Sequence, residues 1–206
     1  MNLDLNQLVK WRREFHRFPE IGWSEFWTTS RIADYLDDLG CFEIFLGKQI
    51  INPDFVRGRK QAVVDKGLAN AKAYGANEKW LEKMEGYTGC VALFDSGKPG
   101  KTIALRFDID CVNVTETRSS EHIPNKEGFA SINDGFMHAC GHDSHITIGL
   151  GVALWIAQNK DKLTGKVKIV FQPAEEGVRG AAAIAQSGII DDADYFASSH
   201  ISFCAN

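Results

Sequence analysis

The chain has 206 residues, of which 44% are hydrophobic, 24% charged and 11% aromatic. That balance fits one fair-sized globular domain able to bury roughly 70% of its unfolded surface, and it excludes a disordered or fibrous chain. With 27 acidic residues against 23 basic ones, the net charge is -4, so no basic field exists to hold a phosphate backbone and nucleic acid is excluded as a partner.

Leu5, Leu8, Val9, Arg12 and Phe15 recur at helical spacing over residues 3–17, and Pro19 follows, which predicts a first amphipathic helix. Ser24 and Glu25 open a second, with Phe26, Ile32, Tyr35, Leu36 and Leu39 on one side and Gly40 as its left-handed stop. A short strand is expected at 41–46. Residues 57–86 are rich in Lys, Ala and Glu and read as a peripheral insert of two helices, about 59–73 and 77–84, split at Gly75. Strand patterns at 90–94 and 102–107 flank Ser96-Gly-Lys-Pro-Gly100, whose turn residues suit a hairpin. A polar loop over 113–135 then leads into an apolar helix at 144–158, a strand at 167–171, a helix at 180–187 and a strand at 195–200. This alternation predicts an α/β sandwich with a largely parallel central sheet flanked by helices.

Apolar stretches such as 146–157 are broken by glycine and fall short of the ~20 residues of a membrane span, so no membrane partner is expected. The first residues lack the basic start and apolar block of a secretory signal, which predicts a reducing cytoplasm. Five cysteines (Cys41, Cys90, Cys111, Cys140 and Cys204) without CxxC spacing predict no disulfide framework.

Chemistry concentrates in three places. Three of the six histidines fall in Met137-His-Ala-Cys-Gly-His-Asp-Ser-His145, where the long loop enters a helix. Gly141 between Cys140 and His142 allows a thiolate and an imidazole to turn onto one metal-sized space; the plain alternative is a loop with a reduced cysteine and solvent histidines, in which Asp143 or Ser144 caps the helix. The second place is Phe171-Gln-Pro-Ala-Glu-Glu176, at the carboxyl end of an apolar strand, where open α/β sheets gather ligands. Adjacent carboxylates suggest divided labour, one neutralised by a cation and one free to move a proton; the alternative is a solvated turn. The third is His200 at the end of the last strand, which by itself reads as a surface histidine. Together, a thiolate, two imidazoles and a carboxylate form a mixed S/N/O set suited to Zn, Mn, Co or Ni, with a spare glutamate as the base of a hydrolytic site. Gly100-Lys-Thr102 is no phosphate loop, since Asp95 stands where its first glycine is needed. No GxSxG or HExxH segment is present.

Ala104-Leu-Arg-Phe-Asp-Ile-Asp110, Gly135-Phe-Met-His-Ala-Cys-Gly-His-Asp143, Phe171-Gln-Pro-Ala-Glu-Glu-Gly177 and the strand before His200 resemble, in this order, the dinuclear-metal amidohydrolases and aminoacylase/carboxypeptidase-like peptidases that include the hippurate and auxin-conjugate hydrolases. The resemblance covers essentially the whole chain, and the insert at 57–86 with Gly86-Tyr-Thr-Gly89 and Pro124–Ala130 is most similar to the branch that cleaves p-aminobenzoyl-glutamate. It implies a zinc-peptidase-like catalytic domain that hydrolyses the amide of a small N-acyl amino acid with two divalent metal ions, Mn or Zn. Cys140 becomes a bridging ligand, His142, Glu176 and His200 complete the metal ligands, Glu175 is the catalytic base, and Asp108 supports the site or, plainly, caps a strand-end loop. His138 and His145 take no ligand role. The resemblance further implies that residues 1–206 are the N-terminal portion of the catalytic domain. A lid and dimerisation domain, a further histidine ligand and a returning C-terminal segment would be absent. The expected assembly is a homodimer or a heteromer of A- and B-type subunits, with weak metal binding and little hydrolysis by this stretch alone. The alternative is a non-catalytic truncated subunit that works only through partner contacts.

Overall fold

The computed structural model describes residues 4–202; residue 3 of the first expected helix, and Cys204, lie outside them. Helix α1 spans Leu5–Arg17, and the Asp4 carboxylate accepts the Asn6 N–H at 3.0 Å as its N-cap. Its inward ridge is Leu8, Trp11 and Phe15, while Leu5 and Val9, expected on that face, are exposed. The shift arises because Leu8 sits over Gly151 of a crossing helix, where a methyl group would already come within 3.3 Å.

Helix α2 spans Phe26–Leu39 and stops at Gly40 in the left-handed region, as its sequence predicts. Ser24 and Glu25 do not cap it. The side-chain oxygens of Glu20 accept the N–H groups of Trp27 at 3.1 Å and Thr28 at 2.8 Å, which leaves Glu25 free to turn inward.

Strand β1 (Glu43–Leu46) follows. Helices α3 (Gln61–Ala73) and α4 (Glu78–Lys83) then form the 57–86 segment. Val64, Ala71, Trp80, Leu81 and Met84 join the main core beside α2, so the segment contributes apolar burial as well as surface.

Strands β2 (Cys90–Asp95) and β3 (Thr102–Asp108) do not form the expected hairpin. After the short α5 (Ile123–Lys126) and the long α6 (His142–Asn159), strand β4 (Lys166–Gln172) enters between them, antiparallel to β2 and parallel to β3. The Ser96–Gly100 turn wraps the start of β4 instead of closing a hairpin: Ser96 donates to the Gly165 carbonyl, and Gly165 donates to that of Lys98, both at 3.1 Å. The apolar run of β4 is buried on both faces, which suits a central position. Helix α7 (Ala181–Ala185) precedes strand β5 (Tyr195–Ser198), which lies parallel to β3. The sheet order is β1-β2-β4-β3-β5. The α/β sandwich is therefore as expected, and its sheet is mixed: β4, β3 and β5 pair in parallel, β2 alone runs against them, and β1, antiparallel to β2, runs the same way as β4.

Alternate residues feed two cores. Cys90, Ala92, Phe94, Ile169 and Phe171 meet α1, α2 and α6, whereas Val91 and Val170 meet α7 and residues 50–51 on the opposite face. At Gly149 of α6 a Cβ would come within 2.6 Å of Phe171 and 2.9 Å of Phe107, so a bare backbone is what lets the helix seat on the sheet. No helix among the described residues is long and apolar enough to cross a membrane.

A buried ionic group ties α1 to α6 and to the 113–135 loop. His16 Nδ1 lies 2.8 Å from Asp143 Oδ2, and its Nε2 lies 3.0 Å from Glu116 Oε1. Burial lowers the His16 pKa, but the Asp143 and Glu116 carboxylates outweigh it and hold the value above 6.5. The stabilisation is complete below pH 6.5 and is lost as pH rises through the folded-state value. Denaturant titrations should show stability declining as pH rises above 6.5, and His16→Asn should cost about 3 kcal/mol below that pH and flatten the decline. An unchanged pH slope in the variant contradicts the assignment.

Candidate metal centre

The parallel strands β3 and β4 end side by side, and their carboxyl ends carry the polar side chains of the site. Asp108 closes β3, and two residues later Asp110 is fully buried. Asp110 Oδ1 accepts the Glu175 N–H and Oδ2 accepts the Glu176 N–H, each at 3.0 Å. Its carbonyl oxygen lies 2.8 Å from His142 Nδ1. One residue thus fixes the turn after β4 and the first residue of α6.

The turn itself is bent: Ala174 has φ of 50°, outside the range most side-chain-bearing residues adopt. It is held from below by Glu25, whose Oε1 accepts the Ala174 N–H at 2.8 Å and whose Oε2 accepts the Thr88 hydroxyl at 2.6 Å. Burial, then the Asp110 charge, push Glu25 up to about 8. From the other side Arg179 Nε donates to the Glu176 carbonyl at 2.8 Å.

Gly141, with φ of 84°, turns the chain between Cys140 and His142. Donor atoms of Cys140, His142 and Glu176 lie within 4.8 Å of one another. His200 joins them, its Nε2 lying 3.4 Å from Cys140 Sγ and 3.4 Å from His142 Nε2. Glu175 Oε2 is 3.8 Å and Glu176 Oε1 3.9 Å from His142 Nε2. All four residues expected as metal ligands, and the expected base, are thus brought to one place. Asp108 is buried beside them; Arg106 engages its Oδ1, and its Oδ2 lies 3.5 Å from His145 Nδ1.

Tautomers test whether this group suits a cation. His142 Nδ1 faces the Asp110 carbonyl, and His200 Nδ1 faces the Ile201 carbonyl at 2.5 Å. Both rings therefore carry their proton on Nδ1 and present an Nε2 lone pair. Two lone pairs 3.4 Å apart beside a sulfur repel one another unless a positive charge lies between them. Glu176 Oε1 is buried and has no hydrogen-bond partner among the described residues. Burial, then Glu176, push the Cys140 thiol up to about 12; a coordinated cation reverses that, because it deprotonates the thiol that binds it. The residues fit a borderline metal ion.

The sequence profile of peptidase family M20/M25/M40 matches residues 104–204. Over all 206 residues the chain is 98% identical to a Haemophilus influenzae homolog of the A-type subunit of p-aminobenzoyl-glutamate hydrolase, spanning 49% of that protein. Just under half of the chain thus matches the M20/M25/M40 peptidase family. Its fold matches the aminobenzoyl-glutamate utilization protein of Klebsiella pneumoniae with a TM-score of 0.79 at 36% identity, over 98% of this chain and 44% of that one. It also matches a dinuclear metal-binding M20 peptidase of Bacillus subtilis with a TM-score of 0.70 at 27% identity, over 96% of this chain and 43% of that one. The chain spans about half the length of the curated relatives it matches.

Two residues of this site, Asp110 and Glu25, escaped the sequence reading, and His145, which that reading gave no ligand role, lies beside Asp108. Asp110 was signalled by its two-residue spacing from Asp108 at a strand end, and His145 by its three-residue spacing from His142 on a helix. Glu25, distant in sequence, carried no such signal. Replacing Asp110 by Ala strands the Glu175 and Glu176 amide protons and loosens the turn that carries both glutamates, while the backbone carbonyl of residue 110 still faces His142. Chelator competition should show metal affinity weakened about 10–100-fold, with a stability loss of about 1–3 kcal/mol in the metal-free chain. Unaltered affinity contradicts the role given to Asp110.

Proposed function

We propose that this chain carries the base and most of the metal ligands of a metal-dependent amidohydrolase that cleaves N-acyl amino acids, with p-aminobenzoyl-glutamate as substrate and p-aminobenzoate and glutamate as products. The observation that carries the reading is Glu175, a partly exposed carboxylate 3.8 Å from His142 Nε2, beside four groups whose lone pairs need a cation. The names of the Haemophilus and Klebsiella relatives support the substrate.

Cys140, His142, Glu176 and His200 would hold two divalent ions, Mn or Zn, with further ligands from the part of the family's length that this chain does not span. When bound, such ions polarise the amide carbonyl and make water acidic enough to be deprotonated near neutral pH. Glu175 takes the proton of the attacking water as its oxygen bonds to the carbonyl carbon. It then delivers that proton to the amide nitrogen as the carbon–nitrogen bond breaks, leaving a carboxylic acid and an amine, and the acid's remaining proton passes to the amine or to solvent. Burial, then the charge of Asp108, raise the Glu175 pKa, which favours a group that must both accept and return a proton. Asp110 and Glu25 hold the backbone of the Glu175 turn from beneath, so the carboxylate swings over a fixed base.

This reading assigns the protein to a reducing cytoplasm, where Cys140 stays free to ligate; the other described cysteines are also free thiols. It also assigns assembly as a homodimer or with a B-type partner, in line with the A-type designation of the Haemophilus relative. A second reading, a non-catalytic subunit working through partner contacts, is favoured by β5, which is exposed along all four residues, including Tyr195 and Phe196.

Glu175→Gln should leave metal content near that of the parent while lowering p-aminobenzoate release at least about 100-fold. Release by the variant at the parent's rate overturns the assignment of the base. A metal-loaded parent that releases nothing, alone or with its B-type partner, favours the second reading.

A further inference from the structure

The first turn of α6 buries three polar side chains, His142, Asp143 and His145. His142 is held by the Asp110 carbonyl and Asp143 by His16. The His145 ring stacks on His142 with centroids 5.0 Å apart and meets His200 edge-on at 4.5 Å. Asp108, His142, His145 and His200 each offer an atom within 4.8 Å of the others, so on position alone His145 could be a ligand.

Its hydrogen bonding gives it another role. His145 Nε2 accepts the Ile201 N–H at 3.1 Å, so the ring proton sits on Nδ1. Buried Nδ1 is 3.5 Å from Asp108 Oδ2. One nitrogen is thus occupied by the Ile201 amide proton, and the other carries the ring proton, near Asp108 but without a hydrogen-bond partner among the described residues, which leaves no lone pair for a cation.

The residue His145 holds follows His200 directly. The side chain of Ile201 also lies on Gly141, where a Cβ would come within 2.3 Å of its Cδ1. Strand β5 ends at Ser198, and its pairing with β3 stops there at Arg106, so the β3 ladder does not reach His200. The amide bond to His145 and the contact with Gly141 fasten that segment onto the turn that bears Cys140 and His142.

We propose that His145 is a positioning residue: by accepting the Ile201 amide hydrogen bond it docks His200 against Cys140 and His142. The proposal rests on the metal-centre reading for one of its two readouts only.

The test compares the parent chain with His145→Phe, which keeps a ring but has no acceptor, and His145→Gln, whose amide oxygen can still take the Ile201 N–H. The first readout is hydrogen exchange at the Ile201 amide in metal-free protein, followed by NMR. The second is titration with cobalt(II) alone, followed by its visible and thiolate charge-transfer bands. In His145→Phe the amide should exchange at least about tenfold faster and cobalt should bind about 10–100-fold more weakly, with both restored to within about threefold of the parent in His145→Gln. Parent-like Ile201 exchange in His145→Phe overturns the proposal. So does a His145→Gln variant as impaired as His145→Phe with altered cobalt bands, the mark of a lost ligand. Should His145→Phe not fold, loss of Ile201 protection in His145→Gln is decisive by itself. If the parent binds no cobalt, the metal-centre reading fails, whereas the exchange comparison still decides the docking.

Discussion

Both carboxylate oxygens of Asp110 are committed to the backbone of the Glu175–Glu176 turn, and its carbonyl oxygen takes the proton of His142 Nδ1. Remove that residue and the end of β3, the turn after β4 and the start of α6 lose their common fastening. The sheet brings the ends of β3 and β4 to adjacent positions through their parallel register, but register alone fixes backbones to a few ångströms. The backbone carbonyl of this residue sets the imidazole in one tautomer, and its side chain holds the backbone of the two glutamates. Hydrogen bonds of this kind are worth more in a buried site than at the surface, since the groups they satisfy have no water to turn to.

Beneath that fastening lies an unusual density of buried acid. Asp108, Asp110, Glu20 and Glu25 are all shielded from solvent, and burial pushes both glutamates up to about 8. Each is engaged by hydrogen-bond donors: Glu20 by the amides that open α2, Glu25 by Ala174 and Thr88, Asp110 by the Glu175–Glu176 amides, Asp108 by Arg106. Of these, Asp108 and Asp110 supply the charges that act on Glu175, and the same charges attract a cation to the space faced by Cys140, His142 and His200. The fold thus builds an electrostatic bowl whose floor is rigid and whose lining is chosen for a cation, in keeping with the dinuclear M20 peptidase it resembles.

Much of this was readable from residue order, and the misses have identifiable physical causes. Helical periodicity and the stop at Gly40 located α2, because both express local geometry. The start of α2 after Ser24 and Glu25 was legible, but the carboxylate that takes its first free amides was not, because Glu20 lies before the turn and reaches forward over it. The supposed hairpin at Ser96–Gly100 failed for a similar reason: its turn residues are compatible with a reversal of direction, and they do reverse it, but β4 takes the position between the two arms. Cys140, His142, Glu175, Glu176 and His200 were legible because hydrolytic chemistry restricts the side chains that can stand together. Glu25 was not, since a buried carboxyl that supports backbone looks, in a sequence, like any acid near a helix start.

The placement of β4 also governs the order in which this sheet can be assembled. During synthesis β2 and β3 leave the ribosome well before Lys166 does, and until β4 arrives neither has its final neighbour in the middle of the sheet. Closing a loop of that length must precede the pairing that rewards it, which slows folding of parallel, long-range topologies. The inner edges of β2 and β3 remain open to other chains through that interval. Nascent copies would therefore depend on chaperone shelter until the central strand is threaded.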